Sequence, residues 1–390
     1  MNKQQYVTTG AIGLALYLIA TGLAFALFSF IVNGKNQTGI NSALSKKDQD
    51  HFVVDPSLPK TEECPLNGLM YTKPEKERWE KVRPLAVMLE NHAESRPQSG
   101  LSVADVVYEA VAEGGITRFM GIFYCGTAAK PALLAPVRSA RTYFLPWVLE
   151  YDALYSHVGG AGRCSDDTVD ERAKALCQID QYKIKDLDQF GISFPTCYRN
   201  YDRLDHPVAT EHTMVCFTDK LYKVASERGW TNVDTKGVSW DKDFHAWKFK
   251  DDAPAAERGA SFSASFVAWK GYEAEYGVRW SYDPTTNMYK RFNGGKEHLD
   301  LETKLQLQAK VVVVLFAKEI GPVDNHAHLL YTNVGSGDGL VWQDGKATKV
   351  TWKKALRTDR TMFYDNKGNE VKFNRGQLWI EMLPIGSPIS

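Results

Sequence analysis

The chain has 390 residues, of which 44% are apolar and 24% charged, the balance of a packed globular protein long enough for two domains. Lys and Arg together number 47, as do Asp and Glu, so the formal net charge is zero. A neutral chain has no strong general attraction for polyanions, which argues against nucleic acid as a partner and leaves only local charged patches.

The first predicted element is an apolar segment, residues 10–32, which contains no charged side chain. As a helix it would extend about 34 Å, enough to cross a hydrocarbon core of about 30 Å. It is longer than the core of a signal peptide, and it lacks the polar face of a buried helix. The segment therefore predicts an uncleaved transmembrane anchor after a short cytoplasmic tail, residues 1–9. The lysines that flank it do not decide the orientation.

Residues 33–82 are polar and rich in Lys, Asp, Pro and Asn, which predicts a tether between the anchor and the folded part. Residues 83–231 then mix apolar runs bounded by Gly or Pro with amphipathic stretches, which predicts an α/β or α+β domain with a mixed sheet. The predicted strands are residues 85–89, 106–112, 117–124, 133–137 and 153–158. The predicted helices are residues 139–150, with Ser139 as the N-cap, 166–176 and 218–228.

Residues 232–261 are polar and without periodicity, which predicts an inter-domain segment. From residue 262 to residue 390 many short β-prone runs alternate with glycine-containing turns such as Asn293-Gly294 and Asp344-Gly345. This pattern predicts a β-rich second domain, such as a small barrel or sandwich.

The sequence contains six cysteines, none of them in a CxxC pair, so their spacing does not indicate a zinc site. An even number is consistent with disulfides in an oxidising compartment, and buried reduced thiols are equally compatible with the sequence. The pairing is left open. The cysteines are Cys64, Cys125, Cys164, Cys177, Cys197 and Cys216.

Several motifs resemble the YerB-like family of bacterial lipoproteins. The first domain contains EGGITR at residues 113–118, PVRSAR at residues 136–141 and HVGG at residues 157–160. In the second domain the resemblance includes NVGSGDGLVWQDGKATKVTWKK, residues 333–354. The similarity covers roughly residues 83–230 and 262–384. It implies two domains outside the cytoplasm, and it implies no reaction, cofactor or metal.

The chain departs from that family at its amino terminus. Family members often carry a lipid-modified cysteine directly after the signal peptide, whereas the first cysteine here is Cys64. The predicted anchor would take the place of the lipid, so we expect a single-pass membrane protein with both domains in the cell envelope.

The first domain also places several polar side chains next to its predicted strands. Arginine forks near the start of a helix favour carboxylate or phosphate ligands. We therefore predict a polar cleft that binds an anionic cell-wall polymer or an envelope protein. The candidate ligand-binding residues are Glu109, Glu113, Arg118, Arg138, Ser139, Arg141, His157, Arg203 and His212. The structural alternative is that Arg118, Arg138 and Arg141 form internal ion pairs with Glu109, Glu113 and Asp152.

A catalytic interpretation is weaker. Ser139, with His157 or His212 as its base, would suit an envelope hydrolase or transferase, but the chain has no GxSxG motif around this serine. A non-catalytic scaffold is the third class. Residues 157–163 lack the ending of a phosphate-binding loop and predict a flexible turn. Asp324, His326 and His328 likewise predict a solvated turn in preference to a metal site.

Overall fold

The computed structural model of the protein describes residues 54–192 and 194–390. Residues 54–390 pack together as one unit. The predicted anchor, residues 10–32, and the cytoplasmic tail lie outside the described residues. Within the part that is described, no helix has both the length and the apolar content needed to cross a bilayer.

The amino-terminal region, up to residue 231, is a mixture of strands and short helices, as predicted. Its strands are β1 (Lys60–Glu63), β2 (Met70–Thr72), β3 (Leu85–Glu90), β4 (Val106–Val111), β5 (Thr117–Phe123), β6 (Leu133–Leu134), β7 (Leu154–His157), β8 (Lys185–Asp188), β9 (Cys197–Arg199) and β10 (Met214–Phe217). Its helices are α1 (Lys73–Trp79), α2 (Cys125–Ala129), α3 (Leu145–Glu150), α4 (Ala175–Tyr182) and α5 (Thr218–Glu227).

The carboxy-terminal region is β-rich, as predicted, and contains one four-residue helix, α6 (Glu273–Tyr276). Its strands are β11 (Lys248–Lys250), β12 (Ser263–Phe266), β13 (Val278–Asp283), β14 (Met288–Asn293), β15 (Lys296–Glu297), β16 (Gln308–Ala309), β17 (Val311–Ile320), β18 (Leu330–Thr332), β19 (Gly335–Gln343), β20 (Lys346–Lys354), β21 (Met362–Tyr364), β22 (Lys372–Asn374) and β23 (Leu378–Pro384).

One large mixed sheet joins the two regions. Its strand order is β21-β20-β19-β17-β23-β4-β5-β3-β7-β8, with β18 paired to β17. The junction is the parallel pairing of β23 with β4, in which Glu381 lies opposite Glu109. The second region therefore does not close into a barrel of its own. Its strands continue the sheet of the first region, and β12 to β16 form a separate antiparallel sheet.

Both faces of the large sheet are covered, which explains why its central strands are mostly apolar, with Glu109 in β4 and Glu381 in β23 as buried exceptions. In β17, Val311 and Val313 point to one hydrophobic core, and Val312 and Val314 point to the other. The antiparallel sheet supplies Trp280 to the second core, where the side chain is fully buried. Full burial of each of these valine side chains stabilises the fold by about 1.5–3 kcal/mol.

The turns explain why several predicted hairpins are correct. Asp344 and Gly345 both have positive φ, at 53° and 70°, and they connect β19 to β20. Two consecutive left-handed residues are what a tight two-residue hairpin requires, and an Asp-Gly pair adopts them at low cost. The predicted β4–β5 hairpin around Gly114 and Gly115 is also confirmed.

Two predicted helices start later than predicted. Ser139 does not cap a helix, because Ala140 pairs with Gly160 in an extended bridge and α3 starts only at Leu145. Most of residues 166–176 are irregular, and α4 starts at Ala175. There the carboxylates of Asp166 and Asp170 accept hydrogen bonds from the amides two residues ahead, which stabilises turns at the expense of helix.

The ordered structure also begins before Arg83. Residues of the predicted tether form β1, β2 and α1, and Cys64 is joined to Cys125 in α2. The other disulfides are Cys164–Cys177 and Cys197–Cys216. All three cross-links lie within the first region, and Cys197–Cys216 joins the paired strands β9 and β10.

Candidate functional site

Seven strands of the large sheet, β20 among them, run in the same direction, so their carboxyl ends meet at one edge. β17, β23 and β4 are parallel neighbours, and β3, β7 and β8 take the same direction beyond the antiparallel strand β5. In open sheets of this kind ligands bind beyond the carboxyl ends of the parallel strands. The loops at this edge contain EGGITR, PVRSAR and HVGG, the three motifs identified in the first domain.

A hollow of about 280 Å³ opens at this edge, and we name it the edge hollow. Both regions of the chain contribute to it. Its lining consists of Ser139, Arg141, residues 160–162, Asp166, residues 168–169, His326 and His328. The backbone at Ala140 approaches Gly160 so closely that a Cβ on Gly160 would lie 3.1 Å from the Ala140 side chain. The glycine therefore allows the two loops to meet.

Arg141 in the wall of the edge hollow is held by Glu113, which follows β4. Its Nε contacts the Glu113 carboxylate, and its Nη1 donates to the carbonyl of Ala140 at 2.7 Å. Arg118 Nη2 lies 3.7 Å from the other oxygen of Glu113, and Arg118 Nη1 donates to the carbonyl of Ser139 at 2.9 Å. Two guanidinium groups thus share one carboxylate.

The electrostatics of this group follow from that sharing. Burial raises the pKa of Glu113, but the charges of Arg141 and Arg118 outweigh burial and hold the pKa below its ordinary value. Burial and the neighbouring Arg141 lower the pKa of Arg118 to about 10, which leaves it protonated at neutral pH. The predicted alternative of internal pairing is present for Glu113, yet the group retains an excess of one positive charge.

The second region contributes the turn from Asp324 to His328. The Asp324 carboxylate accepts from His328 Nδ1 at 2.8 Å, from the His326 amide at 3.0 Å and from the Asp170 amide at 3.1 Å. The last contact ties the turn to the first region. Burial raises the pKa of Asp324, but these hydrogen bonds hold it below its ordinary value. The turn is solvated only in part, because Asn325 and His326 are exposed whereas His328 is buried.

Glu109 does not accompany Glu113. It lies in a second polar group that is buried between the two regions, which we name the sealed centre: Glu109, Arg291, His298 and Glu381. Arg291 Nη2 donates to Glu109 at 2.6 Å, and Arg291 Nη1 lies 2.7 Å from His298 Nδ1. Burial lowers the pKa of His298 well below its ordinary value, with smaller effects from Arg291 and Arg96.

The fourth member of the sealed centre is Glu381, which lies opposite Glu109 in the pairing of β23 with β4. Burial, followed by the neighbouring charge of Glu109, raises the pKa of Glu381 well above its ordinary value. Trp280 Nε1 donates to Glu381 at 2.9 Å. Arg291 thus lies between two buried carboxyl groups, 2.6 Å from Glu109 and 3.9 Å from Glu381, and the raised pKa of Glu381 favours its neutral form.

Arg138 and His212 meet at Glu90, the last residue of β3. Arg138 Nε lies 2.9 Å from one oxygen of Glu90, and His212 Nδ1 lies 2.7 Å from the other. The hydrogen bond with Glu90 raises the pKa of His212. Arg138 is therefore paired, but with Glu90 in place of the predicted Glu109, Glu113 or Asp152. Asp152 pairs instead with Arg83 and Lys185.

Two further predicted residues hold loops together. His157 is fully buried, with Nδ1 2.7 Å from the carbonyl of Gly159 and Nε2 2.9 Å from Asp186. Arg203 donates to the carbonyls of Pro97 and Ser95 at 2.7 and 2.6 Å. Neither residue lines the edge hollow.

The predicted catalytic pairs are therefore not formed. Both ring nitrogens of His157 are engaged, and His212 lies outside the edge hollow with its Nε2 directed toward Glu94, so neither is placed to activate Ser139. The histidines that share the edge hollow with Ser139 are His326 and His328. Sequence reasoning treated Asp324, His326 and His328 as an isolated turn. The signal that would have joined them to Ser139 is the long parallel strand β17, whose carboxyl end leads to this turn.

Comparisons with known proteins agree with this architecture. Two family models match, described as "Protein of unknown function (DUF3048) N-terminal domain" over residues 68–231 and as its C-terminal domain over residues 267–380. A Bacillus subtilis protein named "Putative lipoprotein YerB" is 27% identical over 329 residues, 84% of this chain and 88% of the relative. The crystal structure of YerB from Bacillus subtilis has the same fold, with a TM-score of 0.67 at 24% identity, covering 84% of this chain and 99% of that one.

Proposed function

Because the chain belongs to the YerB-like family of DUF3048 proteins, we propose that it is an envelope protein, anchored in the membrane, that binds an anionic ligand in the edge hollow. The resemblance predicted from the motifs is confirmed. The family description contains no activity, so the proposal depends on the chemistry of the site.

The envelope location is supported by two features. A relative of this chain is named a lipoprotein, and lipoproteins are attached to membranes. The three disulfides are typical of proteins that fold in an oxidising space. We propose that residues 10–32 provide the attachment here. Protease added to intact protoplasts is then expected to digest residues 54–390. Complete protection of that part before lysis would contradict the location.

Arg141 carries the ligand proposal. It lines an open hollow and uses Nε and Nη1 on Glu113 and Ala140, and its Nη2 has no hydrogen bond within the described part of the chain. A guanidinium with a free donor beside a neighbouring Arg118 suits a carboxylate or a phosphate. Of the nearby carboxylates, Asp166 in the lining accepts two hydrogen bonds from Thr168 at Oδ1, and Asp324 behind His328 accepts from the turn amides.

The test uses the full chain in detergent and purified cell walls, in one preparation with their phosphate polymers and in another stripped of them. Arg141→Gln is expected to weaken sedimentation with at least one preparation about tenfold, the magnitude of one charged hydrogen bond. Loss with both preparations indicates a peptidoglycan carboxylate, and loss only with the first indicates a phosphate.

The matched control is Arg375→Gln. Arg375 is also a partly buried arginine held by carboxylates, those of Glu63 and Asp251, but it precedes β23 at the opposite edge of the sheet. Arg375→Gln removes the same positive charge from the chain as Arg141→Gln does. Equal binding by the wild type and by Arg141→Gln would overturn the ligand proposal and favour the scaffold alternative.

One observation favours hydrolysis as a second candidate. Ser139 and His328 line the same hollow, and Asp324 holds His328 Nδ1 at 2.8 Å, which is the base and orienting half of a catalytic triad. A fluorophosphonate probe is expected to label the wild type if Ser139 is a nucleophile, and neither Ser139→Ala nor His328→Gln should be labelled. An unlabelled wild type would remove this candidate and leave ligand binding unaffected.

A further inference from the structure

A second cluster of chemically active side chains lies outside the edge hollow, at the carboxyl end of β3. After Glu90 the chain makes a short turn that contains His92 and Glu94, and the segment before β10 brings His212 beside them. The rings of His92 and His212 are stacked, with centroids 4.7 Å apart and planes 15° apart. One potential ligand atom from each of the three residues lies within 4.8 Å of the others.

The orientation of His212 is fixed from behind. Glu90 is 4% exposed, and its carboxylate holds His212 Nδ1 at 2.7 Å, while Arg138 holds the other oxygen of Glu90 at 2.9 Å. This leaves Nε2 of His212 directed toward Glu94, 3.8 Å from its Oε2. A histidine whose far nitrogen is held by a carboxylate is the usual arrangement of a metal ligand, because the hydrogen bond fixes both the tautomer and the ring.

The separation of Nε2 and Oε2 is informative. At 3.8 Å the two atoms are too far apart for a hydrogen bond. Two ligands of one tetrahedral zinc ion lie roughly 3.3 Å apart, given bonds of about 2.0–2.1 Å. A small movement of the exposed Glu94 side chain, 64% of whose surface is accessible, would therefore bring both atoms to bonding distance of a shared ion.

We propose that His92, Glu94 and His212 bind a divalent metal ion of the zinc type, with Glu90 as the residue that positions His212. Two imidazoles and one carboxylate are the ligand set that zinc accepts, whereas Mg²⁺ and Ca²⁺ prefer oxygen ligands alone. Three protein ligands leave the fourth position to water or to an external ligand. The site is independent of the proposed edge-hollow function, since none of the three residues lines that hollow.

The experiment measures zinc binding by the full chain, purified in detergent without a histidine tag and stripped with a chelator. Competition with a chromophoric chelator is expected to give one high-affinity zinc per chain. Cobalt is expected to bind with the visible absorption of a tetrahedral ion. Glu94→Gln and His92→Gln are expected to weaken zinc binding on the order of 100-fold, and Glu90→Gln between about 10-fold and 100-fold.

Two histidine variants are the controls. His206 is an exposed histidine with a carboxylate partner, Asp205 at 2.8 Å, and His326 belongs to the edge hollow. His206→Gln and His326→Gln are expected to bind zinc as the wild type does. Glu94 is exposed, so Glu94→Gln tests the site even if His212→Gln fails to fold. A wild type that binds no zinc at 10 μM, about the weakest affinity consistent with the proposal, would overturn it. Unchanged binding by both Glu94→Gln and His92→Gln would do the same.

Discussion

The sealed centre and the edge hollow are built from the same residue types, yet they differ in access to solvent and in charge balance. In the sealed centre Arg291 and Glu109 are buried and form an ion pair, and the pKa of Glu381 beside them is raised by burial. In the edge hollow Arg118 and Arg141 share Glu113, and Arg141 borders open space. The difference shows that an arginine beside a carboxylate indicates a ligand site only where charge and donors remain unsatisfied.

The largest expected effect tests the sealed centre. Arg291→Met leaves the Glu109 carboxylate buried without a cation, so we expect the free energy of unfolding to fall by about 3–5 kcal/mol. Urea unfolding followed by tryptophan fluorescence measures the change. The double variant Arg291→Met/Glu109→Gln removes the unpaired charge and should recover most of the loss. A loss below 1 kcal/mol in the single variant would show that the centre is not sealed.

The second prediction concerns the wall of the edge hollow. The Cys164–Cys177 disulfide encloses Asp166 and residues 168–169, which line the hollow. Replacing both cysteines with alanine is expected to cost about 3 kcal/mol, from the entropy of a loop of this length. It should also weaken ligand binding, because the wall is no longer constrained.

The Cys197–Cys216 disulfide is the matched comparison for that variant. Its sequence separation of 19 is close to the 13 of Cys164–Cys177. No residue of the loop that it encloses lines the edge hollow. Its removal should cost a similar free energy of unfolding and leave ligand binding unchanged. Equal loss of binding in both variants would mean that general loosening, and not the wall, determines binding.

The third prediction concerns the pH dependence of stability, which should have opposite signs for the sealed centre and for the edge hollow. The pKa of Glu381 is raised above its unfolded value of about 4.3, so its contribution is present below that pH and is lost as the pH rises through the folded pKa. In the wild type the free energy of unfolding should therefore fall by up to about 1.4 kcal/mol per pH unit above pH 5 because of Glu381. This decline should be absent in Glu381→Gln.

Glu113 is the comparison for this pH dependence. Its folded pKa is lowered, so its contribution is present above about pH 4.3 and is lost as the pH falls through the folded pKa. Glu113→Gln should flatten the acid side of the stability profile only. Identical profiles of stability against pH for Glu381→Gln and Glu113→Gln would contradict the distinction between the sealed centre and the edge hollow.

Local patterns in the sequence were sufficient for most of the β structure. Alternation and Gly turns located β13, β14, β19 and β20, because a two-residue turn and a half-buried strand leave local signatures. The pairing of β23 with β4 joins residues about 270 positions apart and has no local signature. For that reason the sequence did not show that the two regions share a sheet.

The same limitation explains the errors in the site. Glu109 and Glu113 are close in sequence, but Glu109 lies within β4 and contacts Arg291, whereas Glu113 follows the strand and contacts Arg141. The choice between them depends on partners that come from the second region. The sequence identified the motifs and their residue types, and the long-range pairing of strands determined which residues were sealed.

The smallest expected effect on stability is at the rim of the edge hollow. His326 is exposed, its Nε2 lies 3.3 Å from the Thr168 hydroxyl, and its ring lies 5.7 Å from that of His328 between centroids. His326→Gln should change the free energy of unfolding by less than about 0.5 kcal/mol, as for most surface substitutions. It should nevertheless weaken binding of the cell-wall preparation several-fold, because a ring donor is lost from the lining. A loss of stability above 1 kcal/mol would mean that the rim is also a structural contact between the two regions. The edge hollow and the sealed centre would then differ only in how much they stabilise the fold.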